Sequence, residues 1–250
     1  MTPVHRLGRA VSDMAVTLGL LMVLFAVYLL WWTNHTAQDR ARDEVHRLER
    51  QWAVETAPDR ERHTTRPEEA SSGGGAPADR AQGTGGGGPA AAPARRHGPA
   101  RSESFAIVRI PRIGLAAPIA EGIDKRDVLD RGFVGHYPGT ALPGETGNVA
   151  LAAHRNTHGE PFRHLDRVGP GDTVTITTAT GEFRYRVDVV LPQTTSEDGA
   201  TIQPVPTTAY AGAGKRIGYQ KPGRYLTLTT CTPEYSTRYR LVVWGRLLDD

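Results

Sequence analysis

The chain has 250 residues, a formal net charge of +3 and one cysteine. That length fits one or two domains, and a single cysteine excludes both an intrachain disulfide and an all-thiolate metal site. The excess basic charge (pI about 9.2) is not gathered into a run, which argues against a nucleic-acid partner.

The first predicted element is a membrane span. Met14 to Thr33 reads MAVTLGLLMVLFAVYLLWWT, without a charge. At about 1.5 Å per residue it covers about 30 Å, the thickness of a bilayer core. Trp31 and Trp32 stand where an aromatic belt would lie, and Arg6 and Arg9 favour a cytoplasmic N-terminus over residues 1–13, although Arg40 and Arg42 weaken the bias. The run is long for a signal peptide and WWTNHT is a poor cleavage site, so an uncleaved single-pass anchor in the cell membrane is expected, with the rest of the chain extracellular. Residues 34–57 carry Val45, Leu48 and Trp52 at helical spacing among alternating charges, which predicts a juxtamembrane helix with a stripe able to support dimerisation. Residues 58–103 are rich in Gly, Pro and Ala and poor in large apolar residues, which predicts a disordered linker. As a flexible coil it would reach about 35–40 Å, enough to tether a head that works away from the membrane.

A globular part is expected over residues 104–250. Strand signals dominate it: FAIVRI, LAAPIA, NVALAAH, DTVTITTA, EFRYRVDVVLPQT, YLTLTTC and RLVVWGRLL. Short helical stretches are expected at DKRDVLDRG and PFRHLDRV. The pattern predicts a mainly β fold, a barrel or sandwich. Strand alternation sets Leu226 and Leu228 on one face of YLTLTTC and Tyr225, Thr227, Thr229 and Cys231 on the other. By the same rule Arg240 and His154 fall opposite the larger aliphatics of their strands. A cysteine gains thiolate character beside an imidazole or guanidinium, a histidine can protonate a leaving amine, and an arginine offers a fixed positive fork to an oxyanion. Cys231, His154 and Arg240 are thus a plausible acyl-transfer set, if their strands are neighbours. His154 and His158 stand four apart, but Gly159 and Pro161 follow at once and no carboxylate completes a ligand set, so no metal site is expected.

The segment TLTTCTPEYSTRYRL resembles the active-site signature of the sortases, membrane-anchored cysteine transpeptidases of Gram-positive bacteria. GNVALAAHRNTHGEPFRHLDRVGPGD resembles their histidine segment, and HYPGTALPGETGN resembles the group called class E, the actinobacterial housekeeping type. The resemblance covers about Phe105 to Leu247. It implies a closed β-barrel of about eight strands, with Cys231 as nucleophile, His154 as general acid/base and Arg240 as the arginine. Arg238, of the same parity, is the rival and is expected in the turn. Thr230 matches the threonine before the cysteine, and Thr230 and Tyr137 are the expected substrate-binding residues; the Tyr137 hydroxyl would select alanine over proline at the second position of the substrate. Ala153 stands where many relatives have glycine. The resemblance further implies secreted proteins with LPxTG- or LAxTG-type sorting signals as substrates, a peptidoglycan-precursor amine as acceptor, and no cofactor. The alternatives are a pilus-assembly sortase using a pilin lysine and a non-catalytic, membrane-tethered peptide-binding barrel.

Overall fold

The computed structural model describes residues 3–56, 98–208 and 217–248. The expected linker, apart from residues 98–103, lies outside them. The span and the juxtamembrane helix are one unbroken helix, α1, Pro3–Thr56. It is the one helix among the described residues long and apolar enough to cross a membrane, and Leu21, Phe25 and Trp31 project from it exposed.

Ten strands follow: β1 Ser104–Ile110, β2 Leu115–Glu121, β3 Val134–His136, β4 Gly147–Ala152, β5 Thr173–Thr178, β6 Gly181–Thr195, β7 Thr207–Thr208, β8 Ile217–Gly218, β9 Arg224–Thr232 and β10 Tyr239–Leu247. Eight close into a barrel in the order β1-β2-β3-β4-β9-β10-β6-β5, while β7 and β8 form a separate pair. Two joints of the barrel are parallel, β2 with β3 and β4 with β9; the rest are antiparallel. The parallel β4–β9 joint brings the histidine-bearing strand beside the cysteine-bearing one. The two expected helical stretches are single 3-10 turns, Leu129–Arg131 and Leu165–Arg167.

Inward side chains alternate along each strand and fill the barrel: Val108 and Ile110, Val149 and Leu151, Leu226 and Leu228, Leu241 and Val243. The run FAIVRI does not alternate with polar residues because both of its faces are covered. Ile107 points outward and is still fully buried, beneath Val45 and Leu48 of α1. Ala41 packs with Ala120, Val128 and Phe133 a turn earlier. The stripe on α1 that suited dimerisation therefore lies against the barrel. Burying Val45 and Leu48 there contributes about 1.5–3 kcal/mol each, as an upper bound. Polar contacts fix the same seam. Glu49 pairs with Arg109, and Glu44 is held below the usual carboxylate range by hydrogen bonds from Arg47 and then Ser104 at the start of β1.

Past the apolar run α1 itself grips the barrel, beginning with the next residue. Asn34 Oδ1 accepts the Gly159 N–H at 2.6 Å, and Gln38 Nε2 donates to the Gly159 carbonyl. Gly132 has φ +81 and lies so close to α1 that a Cβ would come within 2.6 Å of the Ala37 carbonyl oxygen. Only glycine satisfies both the left-handed backbone and that approach.

Candidate active site

Cys231 lies near the end of β9, where burial gives way to partial exposure. In the antiparallel β9–β10 ladder its partner is Arg240. Side chains directly opposite in such a pair share a face with Cβ atoms about 5 Å apart. Arg238 precedes β10 and is exposed, with its guanidinium over the Tyr239 ring.

On the other side of β9 the parallel ladder pairs Ala152 with Thr229, and the Ala153 N–H donates to the Thr229 carbonyl. His154 follows just past the strand end, level with the cysteine. Two contacts stitch this segment to Cys231. The Thr230 hydroxyl donates to the Ala153 carbonyl at 2.8 Å. Arg155, 7% exposed, donates to the Cys231 carbonyl and to the Thr232 hydroxyl, and pairs with Asp166. The Phe162 N–H donates to the His154 carbonyl, closing the loop from behind. His154 Nε2 meets Asp130 Oδ1 at 2.8 Å, which fixes the ring.

Tyr137, just after β3, reaches the Thr229 hydroxyl with its own at 3.1 Å. Thr229 is two residues before Cys231 and shares its face, so Tyr137 stands beside the cysteine. Thr230 does not. Its side chain alternates with Cys231, lies on the Leu226 and Leu228 face and is 3% exposed. The Thr230 hydroxyl, expected at the substrate, is here committed to the histidine segment.

Sequence reasoning missed Asp130 and Arg155. Asp130 comes 24 residues before His154 and sits in a 3-10 turn, so no local spacing links the two. Arg155 is adjacent to His154, but its role appears only once β4 and β9 are known to pair. Asp130 also supplies the carboxylate that the histidine spacing lacked: donor atoms of Asp130, His154 and His158 all lie within 4.8 Å of one another.

The outer face of β9 and β10 is roofed by residues 196–206. The Trp244 indole N–H donates to the Thr201 carbonyl, and Asn148 Nδ2 donates to the Gln203 carbonyl. Two buried threonine hydroxyls, of Thr194 and Thr208, donate to Asp198 at the start of this roof. The roof explains why Thr227 and Thr229, opposite the core face, are buried, and why Cys231 stands at the open end of the row.

A partly exposed cysteine with an arginine across the ladder and a carboxylate-held histidine beside it, at the mouth of a closed barrel, is an arrangement suited to cysteine acyl transfer. The family model described as the sortase domain matches residues 108–248. Sortase SrtE1 of Streptomyces coelicolor is 36% identical over 248 residues, 97% of this chain and 58% of that protein. Sortase SrtE2 of the same organism is 32% identical over 95% of this chain and 80% of its own length. The crystal structure of Streptomyces coelicolor sortase E1 with a tripeptide in the active site matches with a TM-score of 0.54 at 43% identity, covering 60% of this chain and 91% of that one. Sortase E from Streptomyces avermitilis matches with a TM-score of 0.51 at 37% identity, covering 60% of this chain and 91% of its own. The chain belongs to the sortase family of cysteine transpeptidases, and its relatives of E type set it with class E. It spans less than two thirds of the length of SrtE1.

Proposed function

We propose that this protein is a membrane-anchored transpeptidase that cleaves the Thr–Gly bond of an LAxTG- or LPxTG-type sorting signal and passes the acyl group to a cell-wall amine. The observation that carries the reading is the register that sets Arg240 opposite Cys231, with His154 stitched to the far side of the same strand. The tripeptide in the active site of the related sortase E1 supports a peptide as the occupant.

In the first half-reaction the Cys231 thiolate attacks the threonine carbonyl carbon. Arg240 stabilises the negative oxygen, a charge that exists only in the transition state and intermediate. The carbon–nitrogen bond then breaks as His154 gives its proton to the departing glycine amine. Asp130 holds His154 by Nε2, so that Nδ1 is the nitrogen that carries the proton to and from the reacting groups. In the second half-reaction an amine of the peptidoglycan precursor attacks the thioester. His154 takes the amine proton, the carbon–sulfur bond breaks, and the thiolate returns. The N-terminus lies in the cytoplasm and the barrel outside, so the site meets secreted proteins and wall precursors on one side of the membrane.

Mass spectrometry of the full chain in detergent micelles, incubated with LAxTG and LPxTG peptides, tests this. A thioester adduct ending at threonine is expected on Cys231. Cys231→Ala is expected to lose both the adduct and at least about a thousandfold in turnover. An adduct on another residue, or turnover retained by Cys231→Ala, overturns the assignment.

A further inference from the structure

The three groups that meet beside the nucleophile are a ligand set as well as a catalytic array. Asp130 Oδ1 lies 2.8 Å from His154 Nε2 and 3.6 Å from His158 Nδ1. The two imidazoles lean together, with 5.4 Å between centroids. His158 Nδ1 is shielded from solvent and makes no hydrogen bond, because 3.6 Å is beyond hydrogen-bond reach. The His158 backbone holds the left-handed conformation, φ 51, that turns the ring toward His154. The side chains of His158 and Asp130 are each 35% exposed, so an ion can enter from solvent.

We propose that Asp130, His154 and His158 bind a divalent transition-metal ion of zinc type, and that the bound ion switches the enzyme off. Two imidazoles and a carboxylate suit zinc, with water in the fourth position. Bonds of about 2.0–2.2 Å in a tetrahedral site put ligand atoms about 3.3 Å apart, within the spread of distances seen here. The ion gives the orphaned His158 nitrogen a partner. It also takes His154 Nε2, and a ring carrying a cation on one nitrogen cannot cycle between imidazole and imidazolium. The metal site stands on geometry alone; the shut-off rests on reading His154 as the acid/base. The competing site is Cys231 with His154, since a thiolate is a strong zinc ligand.

The test is a zinc titration of the full chain in detergent micelles, read by competition with a fluorescent zinc indicator. Cys231→Ala is expected to bind one zinc ion with an affinity within about threefold of the wild type. Asp130→Asn and His158→Asn are expected to weaken it at least about tenfold; asparagine tolerates the left-handed backbone at position 158. Cobalt bound in place of zinc should show visible d–d bands and no thiolate charge-transfer band. Loss of binding in Cys231→Ala, or wild-type affinity in His158→Asn, overturns the site. In the transpeptidation assay zinc should inhibit the wild type reversibly, with EDTA restoring turnover, and His158→Asn should need at least about tenfold more zinc. Zinc held by the three residues with turnover intact would keep the site but overturn the shut-off, and with it the role of His154.

Discussion

At the scale of the residue, strand alternation separates the two threonines before Cys231. Thr230 faces inward and ties β9 to the histidine segment, while Thr229 faces the cysteine side and meets Tyr137. Thr230→Val removes a buried donor and leaves the Ala153 carbonyl unsatisfied, which costs about 1–3 kcal/mol. We expect a lower melting temperature and a reduced kcat with KM for the peptide nearly unchanged; a raised KM with kcat intact would return Thr230 to the substrate surface. Tyr137→Phe removes a hydroxyl that would bond the backbone N–H that alanine has and proline lacks. Rates for alanine- and proline-containing peptides should therefore converge, and an unchanged preference removes the role. Cys231 and Arg240 were legible in the sequence because one hairpin carries both and its register is local. Asp130 was not, since its contact with His154 is made across the fold from a turn with no periodicity.

At the scale of the element, the barrel is fastened by single polar contacts at its turns. Tyr185 on β6 points inward, fully buried, and its hydroxyl oxygen accepts the Gly144 N–H of the β3–β4 connection at 3.0 Å. Burial pushes its phenol up to about 12. The neutral form is thus preferred in the folded state, so the contribution is complete below about pH 10, the phenol's ordinary value, and is lost as pH rises through about 12. A rise from about 10 to about 12 corresponds to about 3 kcal/mol. Denaturant unfolding between pH 9 and 11.5 should show a steeper loss of stability in the wild type than in Tyr185→Phe; equal slopes would mean the phenol ionises freely in the folded protein. Element-level legibility followed burial. Seven barrel strands announced themselves by apolar runs, but β3, three residues long, did not. The helical stripe on α1 was visible, whereas its partner was not. The unbroken apolar run around Ile107 was the sequence trace of that partner, since a strand buried on both faces needs a cover outside the barrel. The roof left a divided trace: on β10 the unbroken run RLVVW buries Val242 and Trp244 outside the barrel with Leu191, whereas on β9 threonines meet it and give no apolar signal.

At the scale of the whole molecule, the junction between helix and barrel sets where the site stands relative to the apolar run of α1. The apolar run ends at Thr33, and the next residue already holds Gly159, in the loop that follows His154. Three residues on, Ala37 packs on Gly132, next to the turn that carries Asp130. The mouth of the site is therefore at the end of the barrel from which the apolar run of α1 departs; with α1 taken as the proposed anchor, that end faces the bilayer and suits substrates presented at its surface. Its height can be changed without touching the barrel. Seven helix-forming polar residues inserted between Thr33 and Asn34 lengthen α1 by about 10 Å at about 1.5 Å per residue. They also keep the docking stripe within about 20° of its bearing, since seven residues fall just short of two full turns. Reconstituted in lipid nanodiscs, this variant should turn over a soluble LAxTG peptide at the wild-type rate, because the docked half of α1 and every site contact are retained. It should process a substrate whose LAxTG segment is joined by a short linker to a membrane helix about tenfold more slowly, because tethered reaction depends on matching the reach of the linker to the span. Equal losses on both substrates would instead mean that the insertion disturbs the site through Asn34. Equal retention would mean that the height of the barrel above the bilayer does not govern access.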